Sequence, residues 1–301
     1  MLKTLVFGFL MIIGLGTLSK AEVKKQIQVK GSDTEVNLVQ MLAENYMKKN
    51  KAVSIAVTGG GSGTGIAAIL NKSADLANSS REMKDDELAQ ARLKGIDIQR
   101  VIFATDALTI IVNESNEIKK LDVAALGKLF RGEIKNWKEL GGADVAVSLY
   151  GRQSNSGTFV FFRDQVLKGD YSPDMKGMNG NSQIVEAVAQ DKGGVGYVGI
   201  GYAIDTKTKK TNKGINIVYI SKDKSGVAVN PADLKQVEKG LYPITRPLFQ
   251  YFSGGDSGLV GFLKYELNPE GRKAILSEGF YDIRADWRAE NEKVFKGIAK
   301  H

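Results

Sequence analysis

Arg152 is followed by Ser156, Gly157 and Thr158 in the stretch "GRQSNSGTFV", residues 151–160. A guanidinium is a planar, permanently charged fork of N–H donors that matches the oxygens of a tetrahedral anion. Two hydroxyls beside it add short donors, and a glycine lets backbone N–H groups approach closely because no Cβ stands in the way. Such a set is suited to holding an oxyanion rather than attacking a substrate. The same small donors recur as Ser32, Asp33 and Thr34 in "GSDT" and as Ser62 in "TGGGSGTG".

These residues must be positioned by the elements around them, and the three surroundings share one design. "KKQIQVK" alternates like a strand, "GSDT" breaks it, and Val39, Leu42, Ala43 and Tyr46 then recur at helical spacing. "AVSIAV" reads as a strand, the glycine-rich loop follows, and "IAAIL" begins a helix. "DVAVSLY" reads as a strand, "GRQSNS" as the loop, and Phe159, Phe162 and Val166 mark one helix face. Strands alternating with helices predict an α/β architecture. The first-turn amides of a helix lack internal partners and its dipole makes that end partly positive, so each loop opens toward a ready anion site. The plainer alternative is that Ser32, Ser62 and Ser156 are N-caps beside turn glycines. Three such loops in one chain, one of them holding Arg152, favour a shared anion.

Composition narrows the class. The first 21 residues read as a secretion signal: Lys3, an apolar run from Leu5 to Leu18, then small residues in Ser19-Lys20-Ala21. That run is shorter than the roughly 20 residues that span a bilayer. No cysteine occurs, which removes disulfides and a lipid-modified cysteine, and the expected product is a soluble exported protein. The remaining length suffices for two lobes, and with only five prolines and no Pro/Ser-rich linker, short strand-like crossings would join them. Without Lys3 and Lys20 the formal charge of +8 falls to +6. The lysines near 48–51 and 207–213 read as solvated faces; no nucleic-acid footprint is predicted, although a weak positive field helps gather small anions.

Several catalytic motifs fail. Gly255-Asp256-Ser257-Gly258 lacks a base, since His301, the only histidine, is the final residue. Asp256 and Ser257 read instead as caps of the next helix. Ile66 stands where a nucleotide-binding P-loop needs lysine, and Gly194, Gly196 and Gly199 fall within a predicted strand rather than between a strand and a helix. No metal site, cofactor or enzymatic centre is predicted. "NSQIVEAVAQ" predicts a helix burying Ile184, Val185 and Val188, "LYPITRPLFQYF" an extended crossing, and "SGLVGFLKYELNPEGRKAIL" helix.

With these stretches in hand, the chain resembles the periplasmic phosphate-binding components of ABC phosphate importers over nearly the whole mature length. The matching segments are "VKGSDT", "VTGGGSGTGIAAI", "ADLANSSREM", "GRQSNSGTFVFF", "GGVGYVGIGYA" and "LNPEGRKAIL". The resemblance implies a two-lobed type II periplasmic binding protein fold, each lobe a mixed sheet flanked by helices, with the ligand in the cleft between them. It places lobe 1 at residues 22–105 and 246–301 and lobe 2 at 106–245, with crossings near "FATDALTI" and "YPITRPL". It puts phosphate ligands at Thr34, Ser62, Ser80, Arg152, Ser156, Gly157 and Thr158, with Ser32, Asp33 and Arg81 as further candidates. The implied function is non-enzymatic binding of phosphate in the periplasm, by a monomer, for delivery to a membrane permease driven by an ATPase. Receptors for sulfate, molybdate or arsenate, a phosphate-ester hydrolase, and an anion-binding sensor are the alternatives.

One departure stands out. Members of that family place an aspartate, which accepts the proton of phosphate, where this chain has Ser79, Ser80 and Arg81. Asp33 is the nearest replacement, or else a turn or capping residue. Arg81 is either a second cation or the partner of a carboxylate such as Asp85.

Overall fold

The computed structural model describes residues 25–298, and the predicted secretion signal lies outside them. The strands are β1 (Lys25–Gly31), β2 (Val53–Thr58), β3 (Leu76–Ser79), β4 (Gln99–Asn113), β5 (Lys120–Asp122), β6 (Ser148–Arg152), β7 (Lys176–Met178), β8 (Gly194–Gly199), β9 (Ile215–Ser221) and β10 (Thr245–Phe252). The helices are α1 (Val36–Lys49), α2 (Ser62–Leu70), α3 (Asp85–Leu93), α4 (Val123–Phe130), α5 (Gly157–Phe162), α6 (Asn181–Gln190), α7 (Ile200–Ala203), α8 (Leu234–Glu238), α9 (Ser257–Leu267), α10 (Pro269–Ser277) and α11 (Ala285–Ile298).

Local pattern explains most of these. Ile27 and Val29 alternate into the core of β1, and α1 buries Leu38, Val39, Leu42, Ala43 and Tyr46 on one face. The predicted helix at 257–276 breaks at Asn268. Pro269 cannot continue the hydrogen-bond ladder of α9, while the Asn268 side chain accepts from the N–H groups of Glu270 and Gly271 and starts α10. Asp256 caps α9 as expected, accepting from Gly258 and Leu259.

The strands run in the order β2-β1-β3-β10-β4-β8-β6-β7, with β9 beside β4 and β5. β4 joins the two parts of the molecule. Residues Gln99–Ala107 pair antiparallel with β10, and Leu108–Asn113 pair with β8 and β9. A strand serving two sheet regions is covered on both faces, which accounts for the burial of nearly every residue from Val101 onward. The apolar core divides in step. One cluster draws on residues from Ala107 to Ile244 together with Tyr281, and two others on residues from Ile27 to Ala104 and from Leu248 to Ile283.

Behind the β1–β3–β10 region lies a buried polar group that composition gave no reason to expect. The Gln250 side chain donates to Glu266 at 3.1 Å and to Asn78 at 3.3 Å. Burial pushes the Glu266 carboxyl well above the usual range, and the Gln250 hydrogen bond offsets this only in part. The folded chain therefore keeps this proton while the unfolded chain loses it near pH 4.3, so stability falls as pH rises from there toward the raised folded value. Glu266→Gln keeps the acceptor oxygen and removes the charge. It is expected to raise the melting temperature by roughly 2–4 °C at pH 8 and to leave it nearly unchanged at pH 4. Equal shifts at both pH values in thermal unfolding would contradict this account.

Candidate functional site

β1, β2 and β3 are parallel, so the loops at their carboxyl ends, which carry Ser32–Thr34, Gly59–Ser62 and Ser80–Arg81, emerge at one edge of the sheet. Arg152 is the last residue of β6, which runs parallel to β7 and β8. Ligand sites of open α/β sheets form at such carboxyl edges. Gly31 makes the first loop possible. Its φ is +140°, and a Cβ there would lie 2.1 Å from the Asn78 carbonyl oxygen, which accepts from the N–H of Ser32.

Arg152 is held from behind. Its N–H donates to the Tyr197 hydroxyl at 3.0 Å, and that oxygen also lies 3.0 Å from the Tyr171 hydroxyl. The Tyr197 ring stacks on Phe162 of α5 at 4.3 Å, tying β6, β8 and α5 into one unit. Burial pushes the Tyr197 hydroxyl up to about 12, so it stays neutral. The guanidinium is 2% exposed; it donates to the carbonyls of Met178 at 3.3 Å and Asn179 at 2.8 Å, and pairs with the Asp33 carboxylate. Its Nη1 is buried with no hydrogen-bond partner among the described residues.

Across from it the hydroxyls of both halves meet. Thr34 Oγ1 lies 3.0 Å from Thr158 Oγ1, and Ser80 Oγ lies 3.4 Å from both Thr158 Oγ1 and Ser62 Oγ. Ser62 Oγ accepts from the N–H of Ser80 at 3.1 Å, and Ser156 Oγ from that of Thr158 at 3.2 Å. Gly157 fits between them, since a Cβ there would lie 2.3 Å from Ser62 Oγ and 2.8 Å from Ser80 Oγ. Further bonds span the gap at its rim. The N–H of Gly63 donates to the Asn155 carbonyl at 3.0 Å, the Asn155 side-chain amide to the Gly60 carbonyl at 2.9 Å, and the Tyr202 hydroxyl to the Asp33 carbonyl at 2.7 Å.

Sequence reasoning misses two residues of this site. Arg246 of β10 and Asp106 of β4 face each other in the strand ladder, with side chains 1% and 0% exposed. Arg246 donates to Asp106 through Nε at 3.1 Å and Nη2 at 2.9 Å. It also reaches Thr158 Oγ1 at 3.0 Å, Thr34 Oγ1 at 3.3 Å and the Ser80 carbonyl at 3.3 Å, with the Phe161 ring 5.2 Å from its carbon. The signal was present as one charge in each apolar crossing, "FATDALTIIV" and "ITRPLF". A lone charge in a buried strand requires a partner. Glu35 is the third missed group. Its carboxyl is buried beside Ser32, and burial pushes it well above the usual range, only partly countered by Ser32 and Arg246.

The remaining candidates take other places. Ser32 does not cap α1, whose N-cap is Glu35, and Ser62 is the first residue of α2 rather than its cap; only Ser156 caps. A cap oxygen must face its own helix N–H groups, and the Ser62 hydroxyl turns to Ser80 instead. Asp33 neither caps nor stands free: Oδ1 accepts from Gly60 N–H at 2.8 Å and Oδ2 binds Arg152. Arg81 pairs with Glu87, not Asp85, through two bonds of 2.8 and 2.7 Å, and makes no hydrogen bond to the hydroxyl cluster. Glu87 also accepts from Lys84 N–H in the capping box of α3, which brings its carboxylate to Arg81. Among the described residues no group of His, Asp or Glu is placed to hold a metal ion, and no helix is long and apolar enough to cross a membrane.

Residues 17–270 match the family model of the PBP superfamily domain. A phosphate-binding protein PstS from Pseudomonas aeruginosa is 33% identical over 274 residues, 85% of this chain and 82% of that protein. The chain belongs to the phosphate-binding protein family. A protein from Clostridium perfringens crystallised with bound phosphate shares the fold with a TM-score of 0.76 at 22% identity, covering 86% of this chain and all of that one. An ABC-type phosphate transport receptor from Vibrio cholerae superposes with a TM-score of 0.66 at 24% identity, covering 85% of this chain and all of the other. This family member thus has the two-lobed type II fold, and its hydroxyl cluster lies between the two parts of the sheet.

Proposed function

We infer that this protein is a periplasmic receptor that binds inorganic phosphate and delivers it to an ABC transporter, without catalysing a reaction. The carrying observation is the buried cradle in which Thr34, Ser62 and Ser80 meet Ser156, Gly157 and Thr158 beside Arg152, whose Nη1 has no protein partner among the described residues. A desolvated anion is retained only when its oxygens are fully hydrogen-bonded, and this set supplies donors from two sides. The carboxylates of Asp33 and Asp106 are each bound by an arginine, which leaves neither as a free general base.

In this reading the lobes are residues 22–105 with 246–301 and residues 106–245, β4 and β10 are the crossings, and residues 1–21 direct export. Ligand draws the lobes together because only the closed form contacts it from both sides. The receptor acts as a monomer and passes phosphate to a permease with its ATPase. Calorimetric titration of the mature protein, freed of ligand by unfolding and refolding, is expected to give one-to-one phosphate binding. Silence toward both phosphate and sulfate would sink the receptor reading.

A further inference from the structure

A hydroxyl can donate or accept, whereas an arginine can only donate. That difference gives the cradle a direction. Thr34 Oγ1 and Thr158 Oγ1 both accept from Arg246 Nη2, at 3.3 and 3.0 Å. An oxygen that already accepts from a cation becomes a stronger donor and a weaker acceptor, because hydrogen bonds in a chain polarise one another. Ser62 and Ser156 are biased in the same sense by the backbone N–H groups of Ser80 and Thr158. Ser80 Oγ differs: its only hydrogen-bond neighbours among the described residues are the hydroxyls of Ser62 and Thr158.

We propose that Arg246, neutralised by Asp106, is a positioning residue that turns the Thr34 and Thr158 hydroxyls into donors, leaving Ser80 as the one hydroxyl free to accept, so that the cradle takes phosphate as the singly protonated dianion. The proposal rests on the phosphate-receptor reading and adds the protonation state of the ligand. Four hydroxyls and Arg152 supply donors to bare oxygens, and a single acceptor matches a single P–OH. A second proton on the ligand would have to face a hydroxyl already set to donate. A chain with serine at this loop position thereby meets the proton without a carboxylate there. The groups that surround Arg246 are Asp106 on β4, Glu35 ahead of α1, Tyr197 on β8 and the Phe161 ring of α5.

The test is phosphorus NMR of the saturated full-length mature protein at pH 5.5 and 8.5, which reads the protonation of bound phosphate directly. Wild type is expected to show a dianion-like resonance at both pH values, although free phosphate is mostly monoanion at the lower one. In the pair variant Arg246→Gln with Asp106→Asn, the ladder partners stay matched in size, but the glutamine amide can accept as well as donate. Phosphate affinity is expected to fall by roughly tenfold, and the bound resonance to move toward the monoanion at pH 5.5. A variant that loses affinity yet keeps the dianion resonance at both pH values would reduce Arg246 to a structural role and overturn the proposal. So would a wild-type resonance that titrates like free phosphate. If the pair variant does not fold, Arg246→Lys decides: it still only donates and must keep the dianion resonance, and titration there overturns the proposal. A wild-type protein that binds no phosphate would instead sink the receptor reading itself.

Discussion

Arg152→Ala is expected to weaken phosphate binding by about 3 kcal/mol, a loss of roughly a hundredfold or more, the order seen when one member of a desolvated charged contact is truncated. Two losses combine. The ligand forfeits the cation whose Nη1 has no other partner among the described residues, and Asp33 is left with a carboxylate oxygen facing the site. That carboxylate would repel the incoming anion, so the variant should suffer more than the removal of one donor implies. Arg152→Ala combined with Asp33→Asn should therefore recover part of the affinity. Titration calorimetry on the three proteins measures this, and wild-type affinity in Arg152→Ala would show that the anion sits elsewhere.

Gly157→Ala is expected to cost a similar factor by a different route. An added Cβ would lie 2.3 Å from Ser62 Oγ, 2.8 Å from Ser80 Oγ and 3.0 Å from Ser62 Cβ. Those atoms belong to the other side of the cleft, so the methyl obstructs closure rather than the fold of either lobe. Alanine is the best helix former, and position 157 is the first residue of α5. Phosphate affinity should fall by roughly a hundredfold, since overpacking of about 1–3 kcal/mol adds to displaced hydroxyl donors. The melting temperature without ligand should change little. Small-angle scattering should show that phosphate no longer compacts the variant. A variant that closes normally would mean the serines can move aside without leaving the ligand.

Both predictions rest on residues that the linear sequence marks out. Arg152, Ser156, Gly157 and Thr158 form one local motif, and Thr34 and Ser62 lie in loops that interrupt clear strand-to-helix patterns. Local patterns fail where a side chain has a choice of partner. Ser62 and Ser156 both stand at helix starts, yet one turns to Ser80 and the other caps its own helix. Arg81 has Asp85 near it in sequence but pairs with Glu87, because the capping box of α3 brings that carboxylate round. Asp33 has the chemistry of a free acceptor, but the meeting of two distant loops sets it against Arg152 and Gly60.

The sequence by itself determined the alternation of strands and helices, the loops that would carry small donors, and the one arginine placed among them. Those features depend on periodicity and on residue chemistry within a few positions, which the linear order contains. Only the tertiary structure decided that Arg246 and Asp106, 140 positions apart, form the floor of the cradle. Their meeting depends on the antiparallel register of β4 against β10, and pairing between strands so far apart leaves no local trace in either segment. The same register fixes which hydroxyls accept from a cation, so the direction of the donors is a property of the assembled cleft.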